Sequence, residues 1–260
     1  MRNPRAAQSR VVAQYSNRVP DCQPSLLHQV YGASKTLLHR LFPATCLLCL
    51  DPGQPPQLDL CRDCEDDLPR NHPACAVCAT PVPTEGSICD PCRRHGRAFD
   101  AAFAPYRYEF PLVELIHRLK YGGQIAIARI LGTLLARRLA EHERSRVDAI
   151  VPVPLHAKRE IRRGYNQARE IAVFAGELLR LPVRDDLALR VRDTEEQAAL
   201  PAIVRRVNVS AAFEARARPM PLSVAIVDDV LTTGATADAL AQALRRAGSR
   251  HIEIWAVARA

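Results

Sequence analysis

The chain has 260 residues, 48% hydrophobic and 5% aromatic, with a formal net charge of +8. That length suits one medium domain plus a small module, or at most two domains. No run of 18 or more apolar residues occurs, which excludes a membrane-spanning helix. The basic start Met1–Arg5 has no apolar stretch behind it, so no secretory signal is expected and the chain reads as cytoplasmic.

The charge is uneven. Residues 1–43 sum to +5, residues 44–98 to −3 and residues 99–260 to +6. Excess positive charge suits phosphate-rich ligands, nucleic acid included, although an arginine-rich surface is more often simply solvated. Residues 1–24 lack any apolar period and read as a disordered basic tail. Residues 25–43 carry Leu26, Leu27, Val30, Tyr31, Leu37, Leu38, Leu41 and Phe42 at helical spacing and predict an amphipathic helix, with Ser25 to cap it and Pro43 to stop it.

Residues 44–98 are rich in proline and cysteine and too poor in apolar residues to bury a core. Eight of the nine cysteines form four CxxC pairs: Cys46/Cys49, Cys61/Cys64, Cys75/Cys78 and Cys89/Cys92. The intervals between pairs are eleven, ten and ten residues. One CxxC turn supplies two thiolates of a tetrahedral site and a second turn supplies the other two, so eight thiolates predict two structural zinc sites. Metal binding then provides folding energy that this segment lacks. Disulfides need an oxidising compartment, a redox CxxC usually stands alone beside a βαβ unit, and iron–sulfur ligation suits four evenly spaced pairs less well than two zinc ribbons do. Spacing allows either sequential or interleaved pairing. Leu50 and Ala79 follow the second cysteine of a knuckle, where glycine is common because the backbone often needs positive φ. Cys22, in the tail, reads as an unpaired thiol.

Residues 99–260 alternate strand and helix patterns. Strands are predicted over 101–107, 148–154, 187–191, 212–215, 223–228 and 251–258, and helices over 112–121, 124–143, 166–179 and 236–247. That alternation predicts an α/β domain, a parallel sheet flanked by helices, with ligands at the carboxyl ends of strands. Val224–Thr236 reads VAIVDDVLTTGAT. Four apolar residues run into Asp228 and Asp229, then a small hydroxyl-rich turn, then a helix. Carboxylates at an exposed strand end suit the vicinal hydroxyls of a ribose, and the fold should need neither charge. Thr232, Thr233, Gly234, Ala235 and Thr236 suit a phosphate, with the positive end of the helix dipole behind them.

This segment resembles the motif of type I phosphoribosyltransferases that binds 5-phosphoribosyl pyrophosphate (PRPP). With the cysteines it is similar to the ComF family, double-zinc-ribbon proteins with a C-terminal phosphoribosyltransferase domain, over about residues 37–260. The resemblance implies a type I phosphoribosyltransferase fold behind a small zinc-ribbon module. It implies a pyrophosphate loop at Val151–His156, with Val153 and Pro154 against the diphosphate. The basic stretch Lys158–Gln167, with Arg162 and Arg163, matches a family stretch ending in Arg-Gly-(Phe/Tyr)-Asn-Gln. Arg192, Thr194 and Gln197 match the family's flexible loop, where Glu195 and Glu196 replace the prolines of many relatives. Lys120 and Tyr121 are expected to border the site, and His117 to be an ordinary surface histidine. The reaction implied is phosphoribosyl transfer to an acceptor with loss of pyrophosphate, using Mg2+ and carried by Asp228, Asp229 and Arg163. The other reading is a PRPP- or single-stranded-DNA-binding protein of natural competence without turnover. Scarce aromatics argue against an extensive base-stacking platform. Neither the acceptor nor the oligomeric state is written in the sequence.

Overall fold

In the computed structural model the described residues are 43–55, 58–142, 147–192, 212–216 and 219–260. The tail, the helix expected over 25–43 and most of the flexible loop fall outside them. Ala44–Ala260 forms one compact unit. Its elements, in order, are helix α1 (Arg62–Asp66), α2 (Asp90–His95), strands β1 (Ala101–Phe103) and β2 (Tyr106–Arg107), α3 (Leu112–Tyr121), α4 (Ala126–Ala140), β3 (Ala149–Pro152), α5 (Ala157–Arg163), α6 (Gln167–Leu179), β4 (Ala188–Arg190), β5 (Phe213–Ala215), β6 (Ser223–Leu231), α7 (Ala235–Ala247) and β7 (His251–Arg259).

The main sheet is parallel in order β1-β7-β6-β3, with β2 also on β7. The strand expected over 101–107 is two short strands on the same neighbour. They are separated at Ala104-Pro105, where proline has no N–H to give to a ladder. β4 and β5 leave the main sheet and pair antiparallel with each other.

Side chains alternate across the sheet, and each face has its own core. Ala225, Val227, Trp255 and Val257 meet α3, α4 and α6, through Leu115, Leu119, Ile130, Leu134 and Ile171 among others. Val224, Ile226, Ile252 and Ile254 meet α7 through Leu240 and Leu244. α3 buries Leu112, Leu115, Ile116 and Leu119, the i, i+3, i+4, i+7 stripe of an amphipathic helix. α4 and α6 approach closely at Gly132, where a Cβ would stand 2.6 Å from the Ile171 carbonyl oxygen.

The two halves of the cysteine module join opposite cores. Cys46, Cys61, Leu58, Leu60 and Leu68 belong to the cluster on the α3–α4 side. Cys75, Cys78, Cys92 and Phe99 belong to the cluster on the α7 side. A segment with little apolar surface of its own therefore borrows a core from each face of the sheet.

Candidate functional site

The cysteines resolve into two clusters of four, Cys46, Cys49, Cys61 and Cys64, and Cys75, Cys78, Cys89 and Cys92, so pairing is sequential. Within each cluster all Sγ atoms lie within 4.8 Å of one another. Cys49 Sγ is 3.6 Å from Cys61 Sγ, and Cys78 Sγ is 3.5 Å from Cys89 Sγ. Four sulfurs tetrahedral about Zn2+ at about 2.3 Å stand about 3.8 Å apart, so both donor sets fit the metal. Burial acts to raise the Cys46 thiol, but bonds from the backbone at Cys61, Cys49 and Leu48 outweigh it and bring it to about 6. Cys78 is brought to about 7 against its burial, mainly by the Thr80 hydroxyl and backbone. In the same clusters Cys49, Cys64, Cys89 and Cys92 are raised instead, by burial and by the crowding of thiols against one another. Leu50 and Ala79 adopt φ of 71° and 55°, the left-handed conformation that knuckles reserve for glycine.

The second site is built where β3 and β6 lie side by side. Pro152 is in register with Val227, and Val153 N–H donates to the Val227 carbonyl at 2.9 Å. β3 ends there and β6 continues to Leu231. This corrects the expectation for the acidic pair. Asp228 and Asp229 lie inside a strand, at the point where its β3 neighbour stops, rather than at its exposed end.

The two carboxylates differ. Asp229 is buried, and Lys120 Nζ from the last turn of α3 lies 2.9 Å from its Oδ2. That oxygen has no hydrogen bond of good angular geometry, so the ion pair is what compensates it. Its Oδ1 accepts the Val230 N–H at 2.8 Å. Burial works to lower Lys120, and Asp229 with Asp228 more than offsets it, leaving the ammonium raised. Asp228 is half-buried, and its Oδ1 accepts the Asp229 N–H at 2.9 Å. Burial, then the charge of Asp229, raises its carboxyl well above the usual range. Asp229 thus carries a buried ion pair inside the domain, a partner the sequence reading did not anticipate.

After β6, Thr232 and Thr233 are exposed and Gly234 caps α7 with φ 81°. Ala235 N–H donates to Thr233 Oγ1 at 3.3 Å, and Ala235 and Thr236 are half-buried in the first turn. Arg97, beyond the last cysteine, reaches this turn: its Nη1 donates to the Thr233 carbonyl at 3.2 Å and to Asp238 Oδ2 at 2.7 Å. Arg259 Nη1 donates to the Leu231 carbonyl at 2.9 Å. Sequence reasoning missed both arginines, because no motif spacing links them to the turn.

On the β3 side Val153 is buried and Pro154 half-buried. The basic stretch forms the short helix α5, which was not expected, ended by Gly164 at φ 84°. Arg162 is exposed; Arg163 bonds Gln167 and lies over the exposed Tyr121 ring, 5.8 Å from its centroid. Tyr165 donates to the Leu119 carbonyl, and Asn166 donates to the Val153 carbonyl at 3.0 Å while capping α6. Tyr165 and Asn166 therefore fix the loop to α3 and to itself. His117 is exposed and stacks edge-on to Tyr121. Arg192 is exposed, and Thr194 and Gln197 lie outside the described residues. Among the described residues no helix is long and apolar enough to cross a membrane.

A family description, the double zinc ribbon domain, matches residues 37–93. A solved chain of glutamine PRPP amidotransferase from B. subtilis, complexed with ADP and GMP, overlaps 50% of this chain and 26% of that one, at a TM-score of 0.35 and 17% identity. DNA utilization protein YhgH of Salmonella typhimurium is 30% identical over 221 residues, spanning 84% of this chain and 97% of that protein. Competence protein F of Haemophilus influenzae is 31% identical over 226 residues, spanning 84% of this chain and 98% of that protein.

Proposed function

The chain belongs to the ComF family, that of competence protein F, and from that premise we propose that it binds PRPP with Mg2+ between the ends of β3 and β6. The observation that carries this reading is the parallel register of Pro152 with Val227, which sets the loop at Val153 and Pro154 beside Asp228 and Asp229. Asp228 accepts hydrogen bonds from the ribose hydroxyls, and Asp229 holds Lys120 at the floor. The 5-phosphate sits on the turn Thr232–Thr236 at the start of α7, where N–H groups and the helix dipole favour an anion. The diphosphate lies along Val153 and Pro154, with Arg162 and Arg163 of α5 as its cations. Mg2+ bound with PRPP would supply charge neutralisation to the leaving group, beside the cations Arg162 and Arg163.

The chemistry is displacement of pyrophosphate from C1 of the ribose by an acceptor nucleophile. The protein contributes positioning and charge stabilisation rather than a covalent step. Two zinc ions hold the cysteine clusters. A reducing compartment, the cytoplasm, suits eight thiols kept for zinc rather than disulfides. A pyrophosphate-release assay with PRPP, Mg2+ and candidate acceptors tests the transfer, with release above the no-acceptor control as the expected result.

The names of the relatives, competence protein F and DNA utilization protein, favour a second reading. In it the PRPP site is regulatory, and the basic protein handles single-stranded DNA or a partner of the uptake machinery during competence. Tight, salt-sensitive binding of single strands with no pyrophosphate release supports that reading over the first.

A further inference from the structure

We propose that the second cysteine ribbon braces the phosphate loop, and that Arg97 and Arg259 are the positioning residues through which it acts. The inference rests on the PRPP reading for what the loop binds, but its geometry is independent of that reading.

A phosphate cradle works only if its N–H groups are aimed before the ligand arrives. The turn after β6 has two exposed threonines and a glycine, a composition with little rigidity of its own. Two of its carbonyls are held from outside. Arg259 gives Nη1 to the Leu231 carbonyl at 2.9 Å. The same guanidinium gives Nε to the Cys78 carbonyl at 3.3 Å and Nη2 to Thr80 Oγ1 at 2.7 Å. Thr80 Oγ1 is itself 3.1 Å from Cys78 Sγ. A single planar group therefore joins the Cys75–Cys78 knuckle to the residue that opens the turn.

Arg97 makes the other link, five residues beyond Cys92. It holds the Thr233 carbonyl and Asp238, whose second oxygen takes the Ala98 N–H at 2.9 Å. The guanidinium rests against Gly234, where a Cβ would stand 3.2 Å from Nη1. A trans peptide points its C=O and N–H in opposite directions. Fixing the Leu231 and Thr233 carbonyls on the ribbon side therefore turns the N–H groups of Thr232 and Gly234 away from it. Arg97 also cancels a charge. Asp238 stands in the first turn of α7 and is only 23% exposed, so unpaired it opposes an anion at that helix end.

The test uses the full-length, zinc-loaded protein, with calorimetry of PRPP·Mg2+ and amide exchange read at residues 231–236. Arg97→Ala is expected to weaken PRPP about tenfold and to speed exchange in that segment about tenfold, the scale of one charge-assisted bond. Arg97→Ala with Asp238→Asn recovers part of the affinity, because the uncancelled charge is gone; a purely structural arginine gives no such recovery. The control Arg137→Ala removes a strut to the first ribbon, at Glu65 and Gln54, and leaves both readouts unchanged. Cys89→Ser, which takes zinc content from two to one, repeats the loss seen with Arg97→Ala. Unchanged affinity and exchange in Arg97→Ala, with PRPP bound normally by the parent, overturns the brace. If the parent does not bind PRPP, the ligand reading fails, and exchange alone decides the brace: faster in Arg97→Ala supports it, unchanged overturns it.

Discussion

Lys120 Nζ stands 2.9 Å from Asp229 Oδ2, so the last turn of α3 is ionically tied to the middle of β6 directly under the candidate site. The side chains are 20% and 4% exposed, which makes this a largely desolvated pair. It divides labour between two adjacent aspartates. Asp229 is committed to Lys120, and Asp228 is the less buried of the two.

The pair's first consequence is for stability. Asp229→Asn leaves a mostly buried ammonium without its counter-charge, and is expected to cost on the order of 3 kcal/mol in urea unfolding, the scale for breaking a buried pair from one side. Lys120→Met strands the carboxylate and should cost a similar amount. The double variant should cost much less than the two single losses added together, since neither charge is then left unpaired. Strict additivity across this cycle rules out a coupled pair.

The helix over 112–121 and the four CxxC pairs were legible in the sequence, each for a local reason. The first is a complete i, i+3, i+4, i+7 stripe, and the second are near neighbours whose metal chemistry needs little tertiary information, whereas the tie of Asp229 to Lys120 is tertiary. The end of β6 was not legible. Aspartate is a poor strand residue, so a pattern reading stops at Asp228, the end of the expected strand over 223–228. The strand continues because β7 remains alongside, from Ala256 to Arg259. Helix α5 was hidden because Lys158, Arg159, Arg162 and Arg163 mask its period, although Arg159 is buried. The contacts of Arg97 and Arg259 span 136 and 179 residues for Thr233 and Thr80, distances at which sequence spacing carries no signal.

Metal analysis of protein purified without chelator should find two zinc ions per chain, one for each cluster of four thiols. Because cysteines of each cluster sit in a core on their own side of the sheet, chelation should loosen both faces and lower Tm cooperatively. A content of zero or one, or iron in place of zinc, contradicts the assignment.

The knuckles carry a removable strain. A left-handed backbone costs a residue with a Cβ roughly 1–2 kcal/mol, and glycine's extra freedom in the unfolded chain takes back roughly half of the gain. Leu50 is 78% exposed, so Leu50→Gly sacrifices little packing and should stabilise the zinc-loaded protein by about 0.5–1 kcal/mol. Ala79→Gly at φ 55° should do the same to a smaller extent, since Ala79 is buried and loses contacts. Loss of stability in Leu50→Gly would show that its side chain is held by something other than the backbone.

Asp228 tests ligand binding and stability with one substitution. Asp228→Asn keeps the volume but removes an anionic acceptor, so PRPP affinity measured by calorimetry should fall about ten- to a hundredfold, the scale of one charge-assisted bond or slightly more. Stability should move the other way. Burial and the charge of Asp229 raise the Asp228 carboxyl above its unfolded value, so the folded state binds this proton more tightly than the unfolded state does. The protonated carboxyl therefore contributes stability that is fully present below the unfolded value of about 3.9 and is lost as pH rises through the folded value. Asparagine cannot ionise and has no such loss. The variant should accordingly melt higher than the parent near neutral pH, and the difference should vanish as pH falls towards the unfolded value. Thermal melts of both proteins across that range decide it. A variant that binds PRPP as well as the parent removes Asp228 from the site, and one less stable than the parent at neutral pH shows that its charge supports the fold.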